Sequence, residues 1–169
     1  MAEKEDVFSS RIKYKGIFSF SDFYNFCYRW LTEEAGLSIQ ETKYTEKISG
    51  DSKSIEVKWE GGQEITDYFR FDTRITMEVS GLKKVEIVKE KEKIETNTGQ
   101  IEMKISSVIV KDYKGKFEKD AFSKFLRGIY ERWVIPSRID EIKQKISVES
   151  DEFLAQAKAY LDLEGKKQG

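Results

Sequence analysis

Apolar residues recur along this chain with two different periods, and each change of period marks a new element. Ile12, Tyr14, Gly16 and Phe18 alternate with Arg11, Lys13 and Lys15, the pattern of a strand over residues 10–18 with one wet face. The period then lengthens to that of a helix. Ser19 stands as an N-cap with Asp22 three residues on, and Phe18 and Phe23 bracket it as a hydrophobic staple. A helix is predicted from there to about Ala35, with Gly36 as its stop. Phe20, Phe23, Tyr24, Cys27, Trp30 and Leu31 form its central stripe, while Phe26 and Tyr28 widen it on opposite sides. So wide an apolar arc predicts contact with a sheet and with a second surface.

From residue 37 to residue 111 the period is mostly two. Ile55, Val57 and Trp59 alternate with polar neighbours, and Gly61-Gly62 supplies a predicted turn. Phe69, Phe71, Thr73, Ile75, Met77 and Val79 then face one way, and Tyr68, Arg70, Asp72, Arg74, Thr76 and Glu78 the other. A further run has Ile101, Met103, Ile105, Ser107 and Ile109 inward. Between these runs Val85 and Ile87 begin a shorter strand. Residues 89–93 form a charged hairpin tip, and Asn97-Thr98-Gly99 forms the next turn. Such alternation belongs to antiparallel strands with one buried face, and strands this long must twist.

The remaining residues return to the helical period. A second aromatic helix over about 120–135 carries Phe122, Phe125, Leu126, Ile129, Tyr130 and Trp133, until Pro136 ends or kinks it. Ser137 can cap a short continuation with Ile139, Ile142 and Ile146. Ser150 can cap a last helix with Phe153, Leu154, Ala157, Tyr160 and Leu161 that closes at Gly165. The expected fold is one α+β domain over residues 1–169. A curved antiparallel sheet of about six strands carries the N-terminal aromatic helix and the C-terminal helices on one face. Residues 1–9 and 165–169 are expected as flexible tails.

Composition narrows the chemistry more than it names it. With 30 Lys and Arg against 31 Asp and Glu, no net field draws the protein to nucleic acid or to an acidic membrane. The 13% of aromatic residues supply large burial per side chain, so a packed core is expected despite the 36% of charged ones. Histidine is absent, which removes the commonest general base and metal ligand. Cys27 is the only cysteine, so neither an intramolecular disulfide nor a structural zinc cluster can form. No run approaches the ~20 apolar residues that span a bilayer, and the charged start does not read as a signal peptide. The expectation is a cytoplasmic protein that is not an enzyme, uses no cofactor and does not insert into a membrane.

Five groups of residues are candidates for function. Tyr14-Lys15-Gly16-Ile17-Phe18 and Tyr113-Lys114-Gly115-Lys116-Phe117 echo one another ahead of the two aromatic helices, and read as two similarly built strand-to-helix corners. Lys13, Lys15, Lys114 and Lys116 surround those glycines and could meet an anion, although a solvated charged turn is the simpler reading. Thr73 and Ser107 interrupt bulky inward rows. They could be polar anchors of a pocket shared with Phe23 and Trp133, or small residues that make room for large ones. The outward strand faces form a charge ladder best read as solvated cross-strand pairs. Asp67 and Asp112 are the carboxylates nearest to buried strand positions, and neither forms a recognisable catalytic pair.

Tyr14-Lys15-Gly16-Ile17-Phe18, Tyr28-Arg29-Trp30-Leu31, Thr66-Asp67-Tyr68-Phe69, and Phe117-Glu118-Lys119 before Phe125-Leu126 together resemble a group of small uncharacterised archaeal proteins, over about residues 10–146. That resemblance implies no activity and carries over no catalytic or ligand residue. The order of elements is also similar to the helix-grip fold, whose curved sheet wraps a long C-terminal helix and can hold an apolar ligand. This chain departs from it in having one helix after the first strand and extra helical sequence after Pro136. The leading functional expectation is a non-catalytic binding or assembly module. Its wide helix face, with Phe26, Tyr28 and Trp30, would meet a protein partner or a second copy. The alternatives are a carrier of a small apolar ligand between sheet and helices and, more weakly, RNA binding through the basic corners.

Overall fold

The computed structural model describes residues 3–66, 68–111, 124–126, 129, 132 and 136–166. In chain order the elements are β1 (Glu3–Ile17), α1 (Phe20–Arg29) with a π-helical last turn (Trp30–Glu34), β2 (Ser38–Ser49), β3 (Ser52–Glu64), β4 (Phe69–Lys89), β5 (Glu92–Lys111) and α2 (Pro136–Lys166). The strands form one antiparallel sheet in the order β1-β5-β4-β3-β2. β2 to β5 are a meander of consecutive hairpins, and β1 returns to pair with β5. The β4–β5 tip carries positive φ at Glu90 (52°) and Lys91 (69°), the backbone that matches strand twist in a two-residue hairpin turn.

Period-two alternation sets the inner face. Phe69, Phe71, Thr73, Ile75, Met77 and Val79 of β4 are all buried, as are Ile101, Met103, Ile105, Ser107 and Ile109 of β5 and Ile55, Val57 and Trp59 of β3. α1 adds Phe20, Phe23, Cys27 and Leu31, and α2 adds Ile142, Ile146, Phe153, Leu154, Ala157 and Leu161. Each large apolar side chain buried this way contributes roughly 1.5–3 kcal/mol. The outer face is laced with ion pairs, among them Arg11–Glu102, Lys43–Glu56, Arg70–Asp72 and Arg74–Glu60.

Local chemistry at the start of α1 follows the sequence. The Asp22 amide donates to Ser19 Oγ (3.4 Å), and Phe18 meets Phe23 edge-on at 6.4 Å. At its end the Ala35 amide reaches back to the Trp30 carbonyl (3.0 Å) and the Leu37 amide to the Leu31 carbonyl (2.9 Å). Gly36 (φ 70°) makes the turn out.

Several expected boundaries fall elsewhere. β1 begins at Glu3, so residues 3–9, expected as a tail, are strand. Gly61-Gly62 is no turn but lies within β3. Val85 and Ile87 start no separate strand, because β4 continues past Gly81 (φ 60°) through an irregularity between Ser80 and Lys83. The sheet therefore has five strands among the described residues, not six. Asn97-Thr98-Gly99 lies inside β5, where Asn97 anchors the β1–α1 corner. Its carbonyl accepts from the Phe18 amide (3.1 Å) and its side-chain Oδ1 from the Phe20 amide (3.2 Å). Pro136 opens α2, as suits a residue without an N–H, and the segment 133–135 that it was expected to end or kink lies outside the described residues. Neither Ser150 nor Gly165 breaks α2.

Ser150 has a different task. Its Oγ lies 2.9 Å from Ser107 Oγ, which lies 3.0 Å from Thr73 Oγ1, and all three residues are buried. A hydroxyl donates once and accepts twice, so the two bonds link all three hydroxyls in a chain and use two of their three donors. Each such bond is worth about 1 kcal/mol net, whereas a buried hydroxyl left unpaired costs about 1–3 kcal/mol. The chain thus favours one seating of α2 on the sheet.

Candidate ligand-binding cleft

α1 acts as a wedge. On one flank Phe26 stacks on Tyr160 of α2 (4.6 Å between centroids, 17°) and Trp30 lies 5.5 Å from Phe153. On the other flank Tyr24 and Tyr28 pack against Trp59 of β3 at 5.1 and 5.8 Å. The expected partner face of Phe26, Tyr28 and Trp30 is therefore divided. The first and third turn to α2, and Tyr28 faces the sheet and remains half exposed. The wide arc does meet a second surface, and that surface is α2.

Beyond the Tyr24 flank the inner face of the sheet is open. An irregularity between Glu41 and Lys43 shifts β2, so that Glu41 pairs with Trp59, Tyr44 with Val57 and Glu46 with Ile55, all toward the helices. Between this row and α1 lies a cleft of about 590 Å³, floored by Phe20 and Leu82 and walled by Tyr24, Tyr44, Glu41 and Glu46. Ser21, Asn25, Lys53, Lys84 and Asn97 complete its rim.

Its polar groups are ordered. Tyr24 donates its hydroxyl to Glu41 Oε1 (2.6 Å), and the same oxygen accepts from Trp59 Nε1 (3.2 Å). Tyr44 donates to Glu46 Oε1 (2.8 Å), which Lys53 approaches at 3.6 Å. Burial pushes the Tyr24 and Tyr44 hydroxyls up to about 12, and the neighbouring carboxylates push the same way. Both phenols stay protonated, as donors, throughout the neutral range. The folded state loses this preference only as pH rises through the usual tyrosine range toward 12.

The other expected sites fare differently. Thr73 and Ser107 do meet across β4 and β5, but Ser150 of α2 caps them. Phe23 packs instead against Phe18 and Tyr160, and Trp133 lies outside the described residues. Lys13 pairs with Glu102 (3.9 Å), while its carbonyl accepts from Lys158 Nζ (3.1 Å). Lys15 is exposed. Lys114, Lys116, Asp67 and Asp112 lie outside the described residues, as does the whole second Tyr-Lys-Gly corner. Phe125, Leu126 and Ile129 are helical, yet 62%, 39% and 41% exposed, where an inward stripe was expected.

Among the described residues no group of acidic or thiol side chains is placed to hold a metal ion, and no helix is long and apolar enough to cross a membrane. Compared with known proteins, the chain matches no family model and no curated sequence.

Proposed function

We propose that the protein is a non-catalytic binding module that holds a small ligand in the cleft between α1 and the β2–β4 face. The observation that carries this reading is the cleft itself. Its size lies within the roughly 300–1,000 Å³ of small-molecule sites, and an apolar floor meets a few convergent polar groups, as such sites require. The element order supports a helix-grip-like reading as well, with β1 returning beside the last strand and a long C-terminal helix on the inner face. Ser21 lines the cleft from an exposed position on α1, so Ser21→Trp should fill it without disturbing the core. In a small-molecule fragment screen by ¹⁵N NMR, hits should perturb the amides of Tyr24, Tyr44 and Leu82, and Ser21→Trp should abolish those shifts. Hits that ignore the substitution would remove the reading.

A second reading, assembly with a protein partner or a second copy, is supported by the exposed apolar side chains of Phe125, Leu126 and Ile129. Phe125 and Ile129 stand four apart, the spacing of neighbours on one helix face. Light scattering should give a mass above that of one chain, returning to one chain in Phe125→Glu. A single-chain mass at high concentration would exclude self-association.

A further inference from the structure

We infer that the cleft takes an organic cation, an amine or quaternary ammonium, with Glu41 as its counter-ion and the rings of Tyr24 and Tyr44 as its walls. This rests on the cleft being a ligand site, and it names the ligand class. Glu41 occupies an inward register position opposite Trp59, where the sheet pattern calls for an apolar residue. Its Oε1 is held by two neutral donors, the Tyr24 hydroxyl and the Trp59 indole, which orient the carboxylate without cancelling its charge. Several other strand carboxylates are ion-paired: Glu46 to Lys53, Glu56 to Lys43, Glu60 to Arg74 and Glu102 to Arg11. Of the described strand carboxylates without an ion pair, Glu41 is the one that lines the cleft. Glu41 forms no ion pair with any described Lys or Arg.

The surroundings favour an organic cation over a metal ion. Hard ions demand six or so oxygen ligands, whereas this carboxylate is flanked by rings. Tyr24 meets Tyr44 at 6.3 Å and 85°, so the two walls stand edge to face. Aromatic faces attract ammonium groups, and a phenol that donates to a carboxylate is the more electron-rich for it. On the far rim Lys84 has no acidic partner among the described residues. It would repel a dication and suits a monocation whose other end carries a hydrogen-bond acceptor.

The test compares choline with 3,3-dimethylbutan-1-ol, which has the same shape without the charge, and with hexanoate as an anion. The full chain is titrated by ¹⁵N NMR and the Trp59 indole N–H is followed, since it donates to Glu41 Oε1. Choline should move it saturably and bind about tenfold more tightly than the neutral isostere. Glu41→Gln keeps an acceptor for Tyr24 and Trp59, and it should reduce choline to the level of the isostere. Equal affinity for choline and the isostere, preference for hexanoate, or unchanged choline binding in Glu41→Gln would overturn the cationic class while leaving the cleft a ligand site. If none of the three compounds moves the peak, the cleft reading falls with it.

Discussion

Gly62→Ala is expected to destabilise the protein by roughly 2–3 kcal/mol, and Gly61→Ala by a similar amount, because each new methyl would collide with backbone that cannot retreat. A Cβ on Gly62 would run into the Phe71 carbonyl oxygen of β4 and lie 2.6 Å from Asp72 Oδ1. On Gly61 it would run into the Ser38 carbonyl oxygen of β2 and lie 2.6 Å from Ile39 Cδ1. Those carbonyls belong to strands that the ladders hold on both sides of β3, so relief requires prying β3 from a neighbour. Gly50→Ala is the control. It has nothing within 4 Å of its Cβ, and its cost, about 1 kcal/mol, comes from positive φ alone. Urea denaturation of the three variants separates the two causes. A Gly62→Ala midpoint no lower than that of Gly50→Ala would show that β3 does not need its glycines.

The same pair of glycines marks where the sequence misleads. Glycine serves turns and close backbone approach alike, and composition does not distinguish the two uses. Gly61-Gly62 reads as a turn and is a crowded strand, while Asn97-Thr98-Gly99 reads as a turn and lies in β5. Serine has a similar double use. Ser19 caps a helix as read, but Ser150 sends its hydroxyl into the core. By contrast, the inward rows of β3, β4 and β5 were legible residue by residue, since each apolar side chain needed a buried face and its neighbours did not.

The cleft was only half legible for a related reason. Tyr24 stands out on the central stripe of α1. Glu41, Tyr44 and Glu46 do not, because the register shift at Glu41/Lys43 puts residues three apart on one face and breaks the period of two. A carboxylate at an inward position then looks like an error in the pattern until its partners are seen. The breadth of the α1 stripe correctly implied two contacts, but periodicity alone cannot say that Phe26 and Trp30 go to α2 while Tyr24 and Tyr28 go to β3.

Trp59→Ala should be the most damaging single change on the inner face, at about 4 kcal/mol. Trp59 is 1% exposed, it is the largest fully buried side chain among the described residues, and both tyrosines of the α1 flank rest on it. Its loss would leave a cavity beneath Tyr24 and Tyr28 and remove one donor from Glu41. Stability alone cannot distinguish those effects, so Trp59→Phe is the informative partner. Phenylalanine retains most of the packing and none of the indole N–H, and should cost about 1–2 kcal/mol. In that variant Glu41 keeps only Tyr24 as donor and can swing toward solvent. Choline affinity, followed at the Tyr44 amide, should then fall several-fold although the fold persists. Unchanged affinity in Trp59→Phe would mean that Tyr24 alone orients the carboxylate, and would reduce Trp59 to a packing role.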